Sequence, residues 1–161
     1  YILIEIPRRF SPALNAFYVD HLFRHIARPR ENHQVSAATW YALGLLLAVA
    51  VAQQPFAQAA ALTLGFGDPA ATLVGKRWGK RTIWRERTWA GTLAFVAVAT
   101  LVCFLFLWLV SGFGIVSALG IAFTAGFVGS TVELFCTDRI DDNLAIPTLV
   151  ALVLALAFNG F

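Results

Sequence analysis

Residues Ala90 to Ser111 read AGTLAFVAVATLVCFLFLWLVS, a run without one charged side chain. About 20 apolar residues of helix cross the hydrocarbon core of a bilayer, so this run has the length and composition of a membrane span. Three further runs come close to that length: Val35 to Ala52, Pro55 to Gly75, and Phe113 to Phe135. A fifth, Leu144 to Phe161, is slightly short and carries Pro147 near its start. At the beginning, Tyr1-Ile2-Leu3-Ile4-Glu5-Ile6 runs straight into Pro7-Arg8-Arg9 with no cleavage-like segment, and reads as the end of a span rather than a signal peptide. The expected fold is all-α: a single membrane domain over 1–161, a polytopic transmembrane helix bundle of about five spans with an N-terminal span remnant.

Composition agrees with this. Of 161 residues 59% are hydrophobic and 13% charged, and the mean hydropathy of +0.73 lies outside the soluble globular range. The net charge of +3 does not call for nucleic acid, because the bases sit in loops beside apolar runs, as positive-inside topology requires. Loops alternate in charge as the span count demands. Arg24, Arg28 and Arg30 precede the first full run; Gln53-Gln54 is uncharged; Lys76 to Arg87 holds six bases; Ser111-Gly112 is neutral; Thr137 to Asp142 is charged again. The charged loops are therefore expected on the cytoplasmic side. Residues 11–34 are too polar to span and suit an interfacial hairpin or helix, on which His21 and His25 at i,i+4 spacing form a polar face, with no third ligand nearby in sequence. Cys103 and Cys136 have no CxxC or metal-ligand spacing and read as buried small residues. No internal repeat is evident.

The candidate chemistry lies in the few charges near or inside the runs. Asp68 falls within the second run, in Gly65-Phe66-Gly67-Asp68-Pro69, and an intramembrane carboxylate is costly enough to mark a functional site. The flanking glycines and the proline predict a span broken at Asp68, with a new helix starting at Pro69 and the irregular backbone lining a polar pocket. Next comes Gly75-Lys76-Arg77-Trp78-Gly79-Lys80-Arg81, a glycine-punctuated basic loop suited to phosphate. It is not a Walker A motif, since no Ser or Thr follows Gly75-Lys76 and Ala70 stands where the first glycine belongs. Glu133 and Asp141-Asp142-Asn143 supply the hard oxygens that a Mg²⁺-nucleotide uses, although Asp141 or Asp142 serves equally as a helix cap.

At these residues the chain resembles the family of dolichol kinase, phytol kinase and CTP-dependent diacylglycerol kinase. Gly67-Asp68-Pro69-Ala70-Ala71-Thr72-Leu73-Val74-Gly75-Lys76-Arg77-Trp78-Gly79-Lys80 is similar to the family's GDPxAxxxGxxxGK stretch. Glu133 with Ile140-Asp141-Asp142-Asn143-Leu144-Ala145-Ile146-Pro147 is similar to its E…DDNLxIP ending. The resemblance runs from about Glu31 to the end and implies a multi-span kinase that uses CTP and a divalent metal to phosphorylate a long-chain alcohol or diacylglycerol. Two departures stand out. Where the family has Lys-Ser/Thr-x-Glu-Gly this chain reads Arg87-Thr88-Trp89-Ala90-Gly91, with Ala90 in place of the acid, and the family's earlier Arg/Lys- and His-rich motif is absent.

These readings assign a site. Asp68, Asp141 and Asp142 are the candidate catalytic residues, and Asp68, Glu133, Asp141 and Asp142 the candidate ligands of Mg²⁺. Gly67, Gly75, Lys76, Arg77, Gly79, Lys80, Arg87, Thr88 and Asn143 are expected at the nucleotide, CTP. The partners are CTP, a lipid alcohol (polyprenol, phytol or diacylglycerol) and membrane lipid. Two other classes also fit the residues: cytidylyl transfer to a phospholipid acid, which leaves pyrophosphate rather than CDP, and a small transporter, which a broken span bearing Asp68 would suit.

Overall fold

A computed structural model describes residues 35–137 and 140–158, together with 10, 11, 13, 14, 17 and 21. The expected remnant at Tyr1, most of the interfacial segment and His25 lie outside the described residues.

Five helices follow the five apolar runs: α1 Ala37–Val51, α2 Gln54–Trp78, α3 Trp89–Leu109, α4 Ile115–Phe135 and α5 Asp142–Phe158. Their starts obey local chemistry. Ser36 caps α1, its Oγ accepting from the Thr39 amide at 3.3 Å. Pro55 occupies the first turn of α2, where a missing N–H costs nothing. Thr88 Oγ1 accepts from the Gly91 amide and caps α3, and Asp141 Oδ1 accepts from the Asn143 amide at 2.9 Å to cap α5. Of the two acids that could cap the last helix, Asp141 is the one that does so.

α2 packs most extensively on α3, α3 on α4, and α1 on α5, with α5 also against α4 and α2. Small residues let these backbones approach. The buried ring of Phe95 on α3 lies against Gly67 of α2 and Gly129 of α4, where a Cβ would stand 2.7 Å and 2.9 Å from the ring carbons. A Cβ on Gly44 of α1 would meet the Asn143 carbonyl of α5 at 2.6 Å. Close small-residue contacts of this kind are how apolar helices associate where lipid removes the hydrophobic drive between them. α3 and α4 are each 21 residues, long and apolar enough to cross a membrane, and present Leu93, Leu101, Leu105, Leu119, Phe123 and Phe127 outward.

The structure corrects the expected break in the second run. α2 is not broken at Asp68: it runs unbroken from Gln54 to Trp78 with Pro69 inside it. Proline in a helix interior removes one backbone bond and crowds the carbonyl four residues earlier, at a cost of about 3 kcal/mol. That earlier residue is Gly65, whose Cβ position is open, while Gly67 and Ala71 on either side of Pro69 are buried. Tertiary packing therefore holds the helix through the proline. The same continuity carries the helix to Trp78, so Gly75 to Arg77 form its last turns rather than a loop. The basic connection, expected as loop, contains a hairpin: β1 Thr82–Trp84 pairs antiparallel with β2 Arg87–Thr88. Its turn holds Arg85 at φ 51°, in the left-handed region.

Short connections reverse the chain at each step, which places the starts of α1, α3 and α5 and the ends of α2 and α4 at one end of the bundle with the hairpin. Gln53-Gln54 and Ser111-Gly112 connect helices at the other end. Gly67→Val places two methyl groups against the Phe95 ring, and is expected to lower stability by about 1–3 kcal/mol. Thermal unfolding in detergent reads this; an unchanged midpoint would mean that Phe95 does not lock α2 to α3.

Candidate active site

A cavity of about 780 Å³ opens at the end where α1, α3 and α5 begin. Each of these five helices contributes to its wall: Ala37 from α1; Ala71, Thr72, Gly75 and Lys76 from α2; Gly91 and Thr92 from α3; Glu133 from α4; Asp142 and Asn143 from α5. The hairpin adds Arg85, Glu86, Arg87 and Thr88. Three helix N-termini at one cavity place three positive dipole ends toward it, which favours an anionic occupant. The negative ends of α2 and α4 also arrive here, the first offset by Lys76 and Arg77 in its last turn and the second met by Arg87 at Glu133. A volume of this size is in the range of small-molecule and cofactor sites.

Arg87 organises the charges. Its Nη1 donates to Glu133 Oε1 at 2.5 Å and its Nη2 to Asp142 Oδ2 at 3.2 Å. Glu133 is 1% exposed and Arg87 33% exposed, so the guanidinium reaches from the hairpin into the bundle to partner an otherwise buried acid. Burying a carboxylate without a partner costs several kcal/mol, and this pair explains how an apolar helix end carries Glu133. Asn143 Nδ2 donates to both Asp141 Oδ1 at 2.8 Å and Asp142 Oδ1 at 3.1 Å, holding the two carboxylates side by side.

Eight of the sequence-assigned residues meet at this cavity: Gly75, Lys76, Arg87, Thr88, Glu133, Asp141, Asp142 and Asn143. Gly67, Asp68, Arg77, Gly79 and Lys80 are not in its wall. Gly67 packs under Phe95, and the Gly79 amide donates to the Gly75 carbonyl at 2.9 Å as the end of α2. Asp68 shares the α2 face of Ala71, Thr72 and Gly75 by helical periodicity, one to two turns deeper in the bundle, and acts electrostatically on Glu133. Arg85 and Thr92 are wall residues that the sequence reading passed over. Thr92 follows Thr88 by four positions, which helix periodicity alone would place on the same face; its buried Oγ1 has no hydrogen-bond partner among the described residues. Among the described residues, no three His, Cys, Asp or Glu side chains are grouped so as to hold a metal ion. The donor set of Asp141 and Asp142 suits an ion that arrives already held by phosphate oxygens, since Mg²⁺ in nucleotide sites takes one or two carboxylates and completes its shell elsewhere.

The chain is 28% identical over 169 residues to a CTP-dependent diacylglycerol kinase 1 of Eremothecium gossypii, covering 94% of this chain and 53% of the relative. It is 27% identical over 158 residues to a protein of the same name from Schizosaccharomyces pombe, covering 92% of this chain and 72% of that protein. A phytol kinase of Synechocystis matches at 35% over 101 residues, 61% of this chain and 42% of the kinase. The chain is thus similar to proteins named CTP-dependent diacylglycerol kinase and to one named phytol kinase. It spans about half the length of the first of them. No family model and no solved structure matches the chain.

Cys136, just after α4, lies in the wall beside these acids. Burial first, and then the Asp142 carboxylate, push its thiol up to about 11, against the lowering effect of Arg87. Because the raised value favours the neutral thiol, alkylation of Cys136 is expected to be slow at pH 7 to 8 and to accelerate as pH rises toward 11; equal rates at pH 7 and 10 would contradict this environment. Arg87→Gln, which strands Glu133, is expected to destabilise the fold by about 2 kcal/mol, below the 3–5 kcal/mol of a fully buried pair because Arg87 is a third exposed. The double change Arg87→Gln with Glu133→Gln should recover much of that loss in a thermal unfolding assay, and an additive double variant would deny the pairing.

Proposed function

We propose that this chain forms the multi-pass membrane domain of a CTP-dependent lipid kinase, transferring the γ-phosphoryl group of CTP to the hydroxyl of a membrane lipid alcohol. The observation that carries the reading is the cavity, where Gly75-Lys76 and Asp141-Asp142-Asn143, far apart in sequence, line one polar space at the end of an apolar bundle. The names of the relatives supply CTP and the class of acceptor, diacylglycerol or phytol.

In this reading α3 and α4 cross the bilayer and the cavity lies at its cytoplasmic face, as the bases between Lys76 and Arg87 favour. Lys76 and Arg85 neutralise the triphosphate, with the dipoles of α1, α3 and α5 behind them. Glu133 takes Arg87 and so positions its guanidinium at the wall. Asp141 and Asp142 would hold a Mg²⁺ that enters with CTP, and that ion would offset the charge on the transferred group. Asp68, deeper along the same face of α2, stands toward the membrane side, where a lipid hydroxyl arrives. As the lipid oxygen bonds to phosphorus, the bond from the γ-phosphorus to the bridging oxygen breaks and CDP leaves, and Asp68, behind the cavity wall, would take the hydroxyl proton through one intervening water. Positioning and charge supply most of the catalysis in such a transfer.

The test is turnover by purified protein with labelled CTP and a panel of diacylglycerol, phytol and polyprenol. Expected products are CDP and a lipid phosphate, with CTP preferred to ATP. Release of pyrophosphate would make it a cytidylyltransferase instead. Asp68→Asn, Asp141→Asn and Asp142→Asn are each expected to lower the rate by 100-fold or more, on the order of a lost general base or metal-binding charge, and for Asp141→Asn the unfolding temperature should stay near that of the parent, because Asn caps a helix about as well as Asp. Near-parental rates would deny these acids a part in the transfer.

A further inference from the structure

The bases between Gly75 and Trp89 separate into two sets. Lys76, Arg85 and Arg87 line the cavity. Arg77, Lys80 and Arg81 are exposed and stand outside it. With them are three indoles turned away from the bundle: Trp78 is 61% exposed, Trp84 59% and Trp89 56%. The Arg77 guanidinium lies 5.4 Å from the centroid of the Trp78 ring. Among the described residues the ion pairs with carboxylates are made by Arg87, not by these three cations.

The indoles sit at the end of α2, in β1 and at the start of α3, so all three lie at the cavity end of the bundle. An indole with an apolar body and an N–H edge is most at home at the headgroup level of a bilayer, and cations held there by exposed stems meet phosphate groups. The charge is one-sided: on this stretch Glu86 is the sole acid, and it belongs to the cavity wall. We propose that Trp78, Trp84 and Trp89 with Arg77, Lys80 and Arg81 form a binding surface for anionic phospholipid headgroups, separate from the cavity that takes the triphosphate. The surface rests on the reading that the bundle spans a membrane. It does not depend on the kinase chemistry.

The experiment reconstitutes the full chain, in a Trp40→Phe and Trp108→Phe background, into phosphatidylcholine vesicles containing an equal fraction of either brominated phosphatidylglycerol or brominated phosphatidylcholine. Tryptophan emission reports which lipid lies against the three indoles. Brominated phosphatidylglycerol is expected to quench more strongly, with the preference falling in high salt. Each cation removed should lower headgroup enrichment by about fivefold, so Arg77→Gln, Lys80→Gln and Arg81→Gln together should abolish the preference. Equal quenching by the two lipids, or a preference that survives the triple substitution, overturns the proposal. Lys76→Gln, a change in the cavity wall that leaves the Arg87 pairing intact, should keep the preference while lowering CTP turnover; loss of the preference there would place the headgroup in the cavity and overturn the separate surface. A chain that shows the preference yet turns over no CTP supports the surface and counts against the kinase reading alone.

Discussion

Glu133 is the constraint on which the polar end of this protein depends. A carboxylate 1% exposed at the end of an apolar helix is tolerable only with a counter-charge in hydrogen-bond contact. Arg87 supplies it, and in doing so fastens the hairpin over the bundle, since the same guanidinium also holds Asp142 at the start of α5. Three elements are thereby fixed to one another by a single side chain. The cavity wall is what they enclose, and the caps at Thr88 and Asp141 set the directions in which α3 and α5 leave it.

Away from that end, the bundle is held by shape rather than charge. Phe95 fills the space that Gly67 and Gly129 leave, and Gly44 lets α1 lie against the first turn of α5. Thr63 and Cys103 add a buried polar contact, both hydrogen-bonding to the Ala59 carbonyl. This tight packing also explains why Pro69 is accommodated: the neighbours of α2 fix its path more firmly than one lost backbone bond can disturb it.

The apolar runs were legible because hydrophobic length is a property of composition, and each of the five became a helix within a few residues of its expected bounds. The union of Gly75-Lys76 with Asp141-Asp142-Asn143 was legible through alternating loop charge and through a family pattern. Asp68-Pro69 misled, since local propensity predicts a break and tertiary packing overrides it. The hairpin escaped notice because two short strands joined by Arg85-Glu86 lack the Asn-Gly or Asp-Gly signal that usually marks such a turn. The role of Arg87 was hidden for a different reason: a base near a span is expected at the interface anyway, and nothing in its neighbourhood in sequence names Glu133 as its partner. Ala90, the departure from the family pattern, occupies the first turn of α3 beside the Thr88 cap.

The distances along the chain between these partners shape how the protein is made. Arg87 and Glu133 are 46 residues apart and Arg87 and Asp142 are 55 apart, while α1 finds its main neighbour in α5, the last helix described. Helices that insert one after another can each become stable segments in lipid before they associate. The cavity, by contrast, has no complete wall until α5 emerges from the ribosome and docks. Arg87 is already made when Glu133 emerges, so that pair can close with α4, while the Asp142 bond and the main packing of α1 await α5, and completion of the polar end becomes a late step in biogenesis.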